Sequence, residues 1–566
     1  GSLGGAINGG EYNIAIGNGT LDALTSGDGN TAVGYNAGTA ATTGGLNTML
    51  GKDAGSGVLT DAAGHNLMLG YEAGYNVTSG TNNTLVGGKG PGYSMTTGAN
   101  NIFIGFETGD GNDAENNNLG IGNSALGGPI AGGEYNVAIG NLTLDALTSG
   151  DSNVAIGYQA GTDLTEGATN ILVGHSAGAN ITTASASIFI GFESGLAATT
   201  NTENMGIGYR AGYAVTGTTN TFIGYKGGQN NTDGNDNTAL GYQALGLGTI
   251  TGDRNVGIGP HAGQDITSAE NSVFVGNEAG ANITTGVNNI AIGHQAMTQN
   301  DAEGNNLALG TGALGGVISG GEYNIAIGNF AGDAITSGDS NTLVGYNVGT
   351  SITTSTLNTF IGFDVGKQHS TNAGGSVNTG IGASALQALT TGGQNTALGG
   401  NAGYLLTTAV DNVLVGHNTG DALVLGSYNT AVGKDALSGA QGDRYNVAIG
   451  FEALKIFNTG TSVNDTENVA VGVQAGLRMT SGSANTVLGG SSGNEITTGI
   501  NNVTLGQGAG DDLTTGSNNI FLGPQSQVST AAASYQFAIG VNVTSAGNST
   551  TTIGYDTTEI ATSHGS

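Results

Sequence analysis

The stretch Asn153-Val-Ala-Ile-Gly157-Tyr-Gln-Ala-Gly161-Thr-Asp-Leu164-Thr-Glu-Gly167 is one copy of a unit that recurs along the whole chain. We number each unit from its marker glycine, here Gly157, as position 0. Position −1 is Ile, Val or Leu in every copy, and position −4 is Asn in all but four of about 32 copies. Most copies lie 17 residues apart, with a few spacings between 14 and 22. Such a repeat predicts a solenoid with one copy per coil.

The residues before the marker glycine predict a short β-strand. Position −3 is apolar or Thr, and position −2 is Ala, Phe, Leu, Met or Gly almost throughout and never charged. Because strand side chains alternate between two faces, both faces are apolar. A second, shorter strand is predicted further on, as in Asn180-Ile-Thr-Thr183 and Asn282-Ile-Thr-Thr285. Two short strands and two turns per copy predict an all-β fold, a parallel β-solenoid of about 32 coils.

The repeats also set the predicted domain organisation. Residues 1–540 are predicted to form one continuous solenoid array, and 541–566 a degenerate last coil with a C-terminal tail. The segment 112–135 recurs as 300–323, an offset of 188 residues that indicates duplication of about eleven coils. The long spacings from Gly362 to Gly382 and from Gly450 to Gly472 predict surface loops.

The Asn at position −4 predicts an internal ladder. One Asn per coil, repeated every ~4.8 Å, can hydrogen-bond its amide to the amide of the next coil. The alternative interpretation is an Asn face that binds a ligand. The predicted ladder includes Asn13, Asn30, Asn47, Asn136, Asn153, Asn324 and Asn341.

Position −2 suggests an assembly of several chains. If a thin coil buries only positions −1 and −3, position −2 faces outward and forms a long apolar stripe, which marks an interface. Copies of the same chain in closed symmetry are the simplest partner, with a homotrimer favoured over a dimer. The alternative is that position −2 packs inside a wider coil. The residues assigned to packing between subunits are Phe103, Phe189, Phe222, Phe274, Phe360 and Phe521.

Several runs resemble a known family. Asn136-Val-Ala-Ile-Gly140 and Asn446-Val-Ala-Ile-Gly450 resemble the head repeats of YadA-like trimeric adhesins, and Asn30-Thr-Ala-Val-Gly34-Tyr-Asn-Ala-Gly38 resembles arrays in phage tail fibres. The resemblance implies a left-handed β-roll in three intertwined chains, outside the cell. The dominant 17-residue unit is longer than that of the adhesin heads, and neither a heptad stalk nor membrane anchor strands are present. These departures favour a released or virion-borne fibre.

An aromatic residue often follows the marker glycine and predicts a weak ligand site. Aromatic rings in successive coils can stack against sugar rings, although a structural ladder is the alternative interpretation. His175, His294 and His417 share this position but lie about seven coils apart, so they cannot bind a metal together. The four consecutive coils assigned to glycan stacking carry Phe192, Tyr209, Tyr225 and Tyr242.

Composition excludes several functions. The chain has no cysteine, and its formal net charge of −31 would repel a nucleic-acid backbone. No apolar run is long enough for a membrane helix. Neither a phosphate-binding Gly-x-x-x-x-Gly-Lys motif nor a His-Glu-x-x-His motif occurs, so we expect no enzyme, no cofactor and no metal site. The best local oxygen cluster for calcium is Asn231-Thr-Asp-Gly-Asn-Asp236.

These observations predict a structural role. We expect a non-catalytic, extracellular fibre or adhesin shaft, on a cell surface or a virion, that forms a homo-oligomer and contacts a surface glycan or host receptor. One alternative is a filament that self-assembles head to tail. A further alternative is an ice-binding solenoid, because the Ile-Thr-Thr runs could form a flat threonine array.

Overall fold

The computed structural model divides the chain into two units, Gly1–Thr285 and Gly286–Ser566, which we describe separately. None of the described residues lies in a helix, so nothing in them forms a helix long and apolar enough to cross a membrane. The described residues are 3–4, 8–299, 301–369, 376–556 and 558–563.

Unit 1 contains sixteen strands of three residues each. They are β1 Ile14–Ile16, β2 Thr31–Val33, β3 Thr48–Leu50, β4 Leu67–Leu69, β5 Thr84–Val86, β6 Ile102–Ile104, β7 Leu119–Ile121, β8 Val137–Ile139, β9 Val154–Ile156, β10 Ile171–Val173, β11 Ile188–Ile190, β12 Met205–Ile207, β13 Thr221–Ile223, β14 Thr238–Leu240, β15 Val256–Ile258 and β16 Val273–Val275. Each strand therefore occupies positions −3 to −1 of its coil.

Unit 2 contains the remaining strands. They are β17 Ile290–Ile292, β18 Leu307–Leu309, β19 Ile325–Ile327, β20 Thr342–Val344, β21 Thr359–Ile361, β22 Thr379–Ile381, β23 Thr396–Leu398, β24 Val413–Val415, β25 Thr430–Val432, β26 Asp443–Arg444, β27 Val447–Ile449, β28 Asn464–Asp465, β29 Val469–Val471, β30 Thr486–Leu488, β31 Val503–Leu505, β32 Ile520–Leu522, β33 Phe537–Val541, β34 Thr550–Tyr555 and β35 Thr558–Ser563. The strands β26 and β28 form a separate parallel pair.

Each unit is a parallel β-solenoid, as the repeat predicts. In unit 1 each strand from β1 to β15 pairs in parallel with the strand of the next coil, so that Ile14 lies opposite Thr31 and Val154 opposite Ile171. The same pattern runs through unit 2 from β17 to β34. In the predicted tail, β34 continues the parallel series and β35 then pairs with it in the antiparallel direction.

The marker glycine ends each strand for a conformational reason. Gly157 has φ of +139°, a backbone conformation that side-chain-bearing residues rarely adopt. A Cβ on Gly157 would also overlap the carbonyl oxygen of Gly174 in the next coil. Both constraints recur at most marker glycines, so the 17-residue repeat of the sequence marks the corner that follows each strand.

The predicted Asn ladder is confirmed. The amide nitrogen of Asn153 donates to the side-chain oxygen of Asn136 at 3.1 Å and to the Gly167 carbonyl at 2.9 Å. Its own side-chain oxygen accepts from the backbone N–H and the side-chain amide of Asn170, each at 3.0 Å. Asn324 and Asn341 make the corresponding bonds in unit 2. Each Asn side chain thus supplies hydrogen-bond partners to buried groups of the two neighbouring coils, where water cannot reach.

The prediction of a second strand in each coil is wrong. Residues 180–183 and 282–285 form turns and bends rather than a strand. The reason lies in the backbone donors, because the N–H groups of Thr165 and Glu166 both point to the carbonyl of Thr182, at 2.8 and 3.2 Å. Two donors that converge on one acceptor cannot form the alternating bonds of a β-ladder.

The core of each coil comes from positions −2, +3 and +7. Leu172, Ala177 and Ile181 occupy these positions in one coil of unit 1, and all three are fully buried. The prediction that position −2 packs between subunits is therefore wrong. The six phenylalanines at this position have no exposed surface within the single chain, which matches the alternative of a wider coil; they are Phe103, Phe189, Phe222, Phe274, Phe360 and Phe521.

The buried rings fit because neighbouring coils supply glycine. A Cβ on Gly206, at position −2 of the next coil, would come within 2.9 Å of the Phe189 ring. A Cβ on Gly195, in the coil of Phe189 itself, would overlap the same ring. Phe103 and Phe360 are likewise followed by Gly120 and Gly380, where a Cβ would come within 3.1 Å of each ring. Large and small residues therefore alternate to fill the interior.

The two predicted loops have different outcomes. In the spacing from Gly450 to Gly472, Phe457 is fully buried, and β28 then pairs with β26 outside the main sheet. This segment is therefore partly folded against the solenoid. The other loop was predicted at 367–371, and residues 370–375 lie outside the described part of the chain.

Candidate functional site

The outer face of the main sheet is apolar along both units. Because position −2 points inward, positions −3 and −1 point outward, and their burial is only partial. Neither position carries a charged residue in any strand of the main series. The exposed apolar members are Ile14, Ile16, Leu50, Leu67, Ile102, Ile104, Ile156, Ile171, Ile190 and Leu240 in unit 1, and Ile290, Leu309, Ile325, Ile361, Ile381, Val413, Ile449, Leu505 and Ile553 in unit 2.

We call these two columns of side chains the outer sheet face. Residues −3 and −1 of one strand are ~7 Å apart, and neighbouring strands are ~4.8 Å apart. The sixteen strands of unit 1 thus present a flat apolar strip of roughly 500 Å², which lies near the upper end for a soluble monomer. Sequence reasoning found an apolar stripe and placed it on the wrong side of the strand.

An aromatic row runs along one corner of unit 1. The four predicted residues come together, with ring centroids 5.3 Å apart for Phe192 and Tyr209 and 5.1 Å apart for Tyr209–Tyr225 and Tyr225–Tyr242. These rings are parallel within 9°. Each ring keeps an exposed edge, with 38% to 48% of its residue surface open.

The row is longer than the sequence analysis predicted. His175 stacks on Phe192 at 5.1 Å, and Tyr158 packs against His175 at 5.2 Å. At the other end, His261 meets Tyr242 edge to face at 5.2 Å. The sequence contains the pattern that predicts this longer row, because Tyr158 and His175 also follow their marker glycines in consecutive coils.

Stacking of a sugar between the rings is blocked inside this row. Two parallel rings with a third ring between them need ~7 Å, twice the usual contact distance of carbon atoms. The observed 5.1 Å spacing of Tyr209, Tyr225 and Tyr242 leaves no such gap. The inner rings therefore present only their edges and phenol groups, and the structural ladder that was the alternative interpretation describes the geometry better.

Charged side chains cover part of the row. Arg210 donates to the Glu193 carboxylate at 2.7 Å and lies 5.4 Å from the Tyr209 ring centroid. The hydrogen bond to Glu193 holds the pKa of Arg210 above its ordinary value. Lys226 lies 5.5 Å from the Tyr225 ring. These contacts place two cations close to the stacked rings, at distances typical of cation–π pairs.

The oxygen-rich segment 231–236, the best local cluster for calcium in the sequence, does not converge on one point. Asn231 donates to the Gly234 carbonyl at 2.8 Å, and Asp233 accepts from Thr216 at 3.4 Å. Asp236 accepts instead from the Thr219 hydroxyl. In the part of the chain that the structure describes, no three His, Asp or Glu side chains are grouped in a way that could hold a metal ion.

The threonines at position +8, where the first threonine of each Ile-Thr-Thr run lies, are engaged within the solenoid. The Thr148 hydroxyl donates to the Thr165 carbonyl at 3.0 Å, and the Thr165 hydroxyl donates to the Thr182 carbonyl at 3.0 Å. Thr267 and Thr284 make the same bond at 2.9 Å. These hydroxyl protons stabilise the stack, and the geometry gives no specific support to ice binding, which stays a prediction.

A shallow notch in unit 1 is formed by side chains that follow the marker glycines of three successive coils. It has a volume of about 240 Å³ and is lined by Glu72, Lys89, Tyr93, Glu107 and Asp110. Lys89 forms an ion pair with Glu107. Burial, followed by the charge of Glu107, raises the pKa of Asp110. The notch is acidic overall, but its one lysine already neutralises the nearest carboxylate.

Two comparisons, with protein-family models and with curated proteins, give no match. No protein-family model matches the chain, and no curated protein matches it significantly.

Proposed function

We propose that this chain is a structural, non-catalytic fibre that acts outside the cell, on a cell surface or a virion, and assembles with copies of itself. The observation that supports the proposal most strongly is the outer sheet face, an uncharged apolar strip that recurs in every coil. A repeat-built surface is matched most simply by the same surface on another copy. Three copies that turn this face toward a common axis form the trimer that we favour.

The energetics agree with association through this face. A strip of roughly 500 Å² on unit 1 alone, at about 25 cal/mol per Å², represents on the order of 10 kcal/mol of apolar burial before the cost of association. The face contains no like charges that would oppose contact. The net charge of −31 is carried elsewhere on the coils and would keep assembled fibres apart in solution.

The repeated backbone explains why such a protein suits a mechanical role. Parallel strand pairing continues from coil to coil in each unit, so the hydrogen bonds point along the direction of stacking. A stack of this kind resists bending and leaves few flexible segments for proteases. Attachment would then come from many weak contacts along the surface, which together give avidity.

Native mass measurement tests the assembly. We expect the purified chain to be a trimer, and the double variant Ile190→Asp/Ile223→Asp to be a monomer with an unchanged circular dichroism spectrum, because both side chains lie on the outer sheet face. The matched control Ser149→Asp/Thr183→Asp adds the same charge at position +9, where both side chains are exposed, and stays trimeric.

Two results would contradict the proposal. One is a monomeric wild-type chain at micromolar concentration. The other is an outer-face variant that keeps its trimeric mass. Masses that grow without limit as concentration rises would favour the head-to-tail filament instead.

A further inference from the structure

Seven of the 18 tyrosines stack on another tyrosine in the next coil. In each of these contacts the ring centroids lie 5.0 or 5.1 Å apart and the ring planes are parallel within 10°. The three groups lie at positions +5 and +6, at position +1 and at position −5, so no single row of the repeat produces them. The groups are Tyr75 with Tyr93, then Tyr209 with Tyr225 and Tyr242, and finally Tyr428 with Tyr445.

The rings of the second and third groups have edges open to solvent. Tyr225 is 42% exposed, and Tyr428 and Tyr445 are each 44% exposed. A reagent in solution can therefore reach these phenols, while the stacking keeps two of them side by side. Because successive coils are ~4.8 Å apart and their residues are in register, the rings stay neighbours as long as the coils are folded.

The composition makes tyrosine the residue that a one-electron oxidant attacks in this chain. The chain contains neither cysteine nor tryptophan, the two other side chains from which such oxidants readily take an electron. Five of the six methionines, which are also sensitive to oxidation, are fully buried. Since the chain has no cysteine, no disulfide can join its coils either. A covalent link between coils must therefore use another side chain.

We propose that the stacked tyrosines are sites of oxidative cross-linking, at which a haem peroxidase and hydrogen peroxide join neighbouring coils through dityrosine. Each phenol gives one electron to the oxidised peroxidase and releases its hydroxyl proton. The neutral radical that results shares its unpaired electron with the ring carbons next to the hydroxyl group. Two such radicals in one stacked pair combine, and a carbon–carbon bond forms between these ring carbons.

The reaction balances without any further reagent. Each of the two newly bonded carbons loses its hydrogen as a proton, and each phenolate oxygen regains a proton, so both rings are aromatic again. The two tyrosines have together lost two hydrogen atoms. One molecule of hydrogen peroxide has accepted two electrons and two protons and has become two molecules of water.

The links would connect coils where the stack is least regular. Tyr445 lies between β26 and β27, next to the longest spacing of the repeat, from Gly450 to Gly472. A link from Tyr428 to Tyr445 joins residues 17 positions apart and restricts the unfolded chain, as a disulfide does. This inference goes beyond the fibre role proposed above and does not depend on the assembly.

Treatment of the purified full chain with a plant haem peroxidase and hydrogen peroxide tests the inference. Digestion and mass spectrometry should find Tyr428 linked to Tyr445, and Tyr225 linked to Tyr209 or Tyr242. Each linked pair should be lighter by two hydrogen atoms than its separate peptides. Tyr445→Phe keeps a ring in the stack but lacks the phenol, so it should remove the link of unit 2. Tyr225→Phe should lower the yield of links in its group at least tenfold, because Tyr209 and Tyr242 are two coils apart.

Tyr323→Phe is the matched control. Tyr323 shares position −5 with Tyr445 and is 59% exposed, but the residues at this position in the neighbouring coils are Asn305 and Ser340. This variant should give the wild-type yield of every link. Circular dichroism checks that each variant is folded, and denaturing electrophoresis should show the linked product at the mass of a single chain.

Three results would overturn the inference: no dityrosine forms, Tyr323 is linked as often as Tyr445, or the links occur only in covalent dimers. The inference and the proposed function fail separately. A monomer that forms the links refutes only the assembly, and a trimer that does not form them refutes only the cross-linking.

Discussion

The two faces of the same three-residue strand are both uncharged, but they differ in how deeply their side chains are buried. In β13, Phe222 is fully buried, whereas Thr221 and Ile223 on the opposite face remain partly exposed. Both faces are apolar. The inner face varies in size, from glycine to phenylalanine, because each residue must fit its neighbours in the next coil. The outer face varies little, because its side chains lie side by side without enclosing one another.

The largest loss of stability should follow truncation of Phe222 on the inner face. The ring lies between Gly212 and Gly228, which offer no side chain to fill a cavity. We expect Phe222→Ala to lower the free energy of unfolding by about 3–5 kcal/mol. Ile223→Ala, one residue away on the outer sheet face, should lower it by about 1 kcal/mol when the chain is studied as a monomer, before copies cover that face. Urea unfolding followed by circular dichroism gives both values, and equal losses would refute the assignment of faces.

The inner face also depends on the Asn ladder at its edge. Asn153→Ala removes the side-chain partners of buried groups in the coils of Asn136 and Asn170, so we expect a loss of about 2–4 kcal/mol. Asn153→Ser should cost less, because Ser187 already occupies this position and its hydroxyl accepts from the Asn204 N–H at 3.4 Å. Hydrogen exchange of the flanking amides measures the local effect. An Asn153→Ala variant as stable as the wild type would contradict the predicted contribution of the Asn ladder to stability.

A smaller effect is expected in the turn after β19, where Asp333 is half-buried. Its folded pKa of about 6 exceeds the value near 3.9 of an unfolded chain, so the folded state holds the proton more tightly. The stability from this group is complete below pH 4 and is lost as the pH rises through 6. Asp333→Asn should therefore be more stable than the wild type at pH 7 by about 1 kcal/mol, after allowance for partial solvation.

Urea unfolding at pH 4 and pH 7 checks this prediction. The difference between wild type and Asp333→Asn should grow with pH. Asp163→Asn, at an exposed position of unit 1, controls for the general effect of removing a carboxylate. A difference that shrinks as the pH rises would contradict the assigned cause.

Much of the fold was predictable from the sequence because the signal repeats. The marker glycine and the Asn at position −4 each perform a backbone task that few other residues can perform, so their spacing predicted the coil, the parallel register and the ladder. The aromatic residues in four consecutive coils, Phe192 to Tyr242, were correctly brought together for the same reason. Residues that occupy the same position in successive repeats become neighbours in successive coils of the solenoid.

The orientation of the strand was not predictable from polarity alone, and the phenylalanines were placed on the wrong face. The size pattern held the missing information, since Phe189 is followed at its position by Gly206, and Phe103 by Gly120. Such compensation is expected of packed interiors.

The extra residues between β27 and β29 have a practical consequence. Although this spacing is five residues longer than the usual 17, Val447 still lies opposite Val469 in the sheet. The stack therefore accepts additional sequence at this corner without loss of register. Foreign peptides grafted between Thr459 and Val463 should be displayed on the surface of unit 2, which would make the protein a carrier for epitopes.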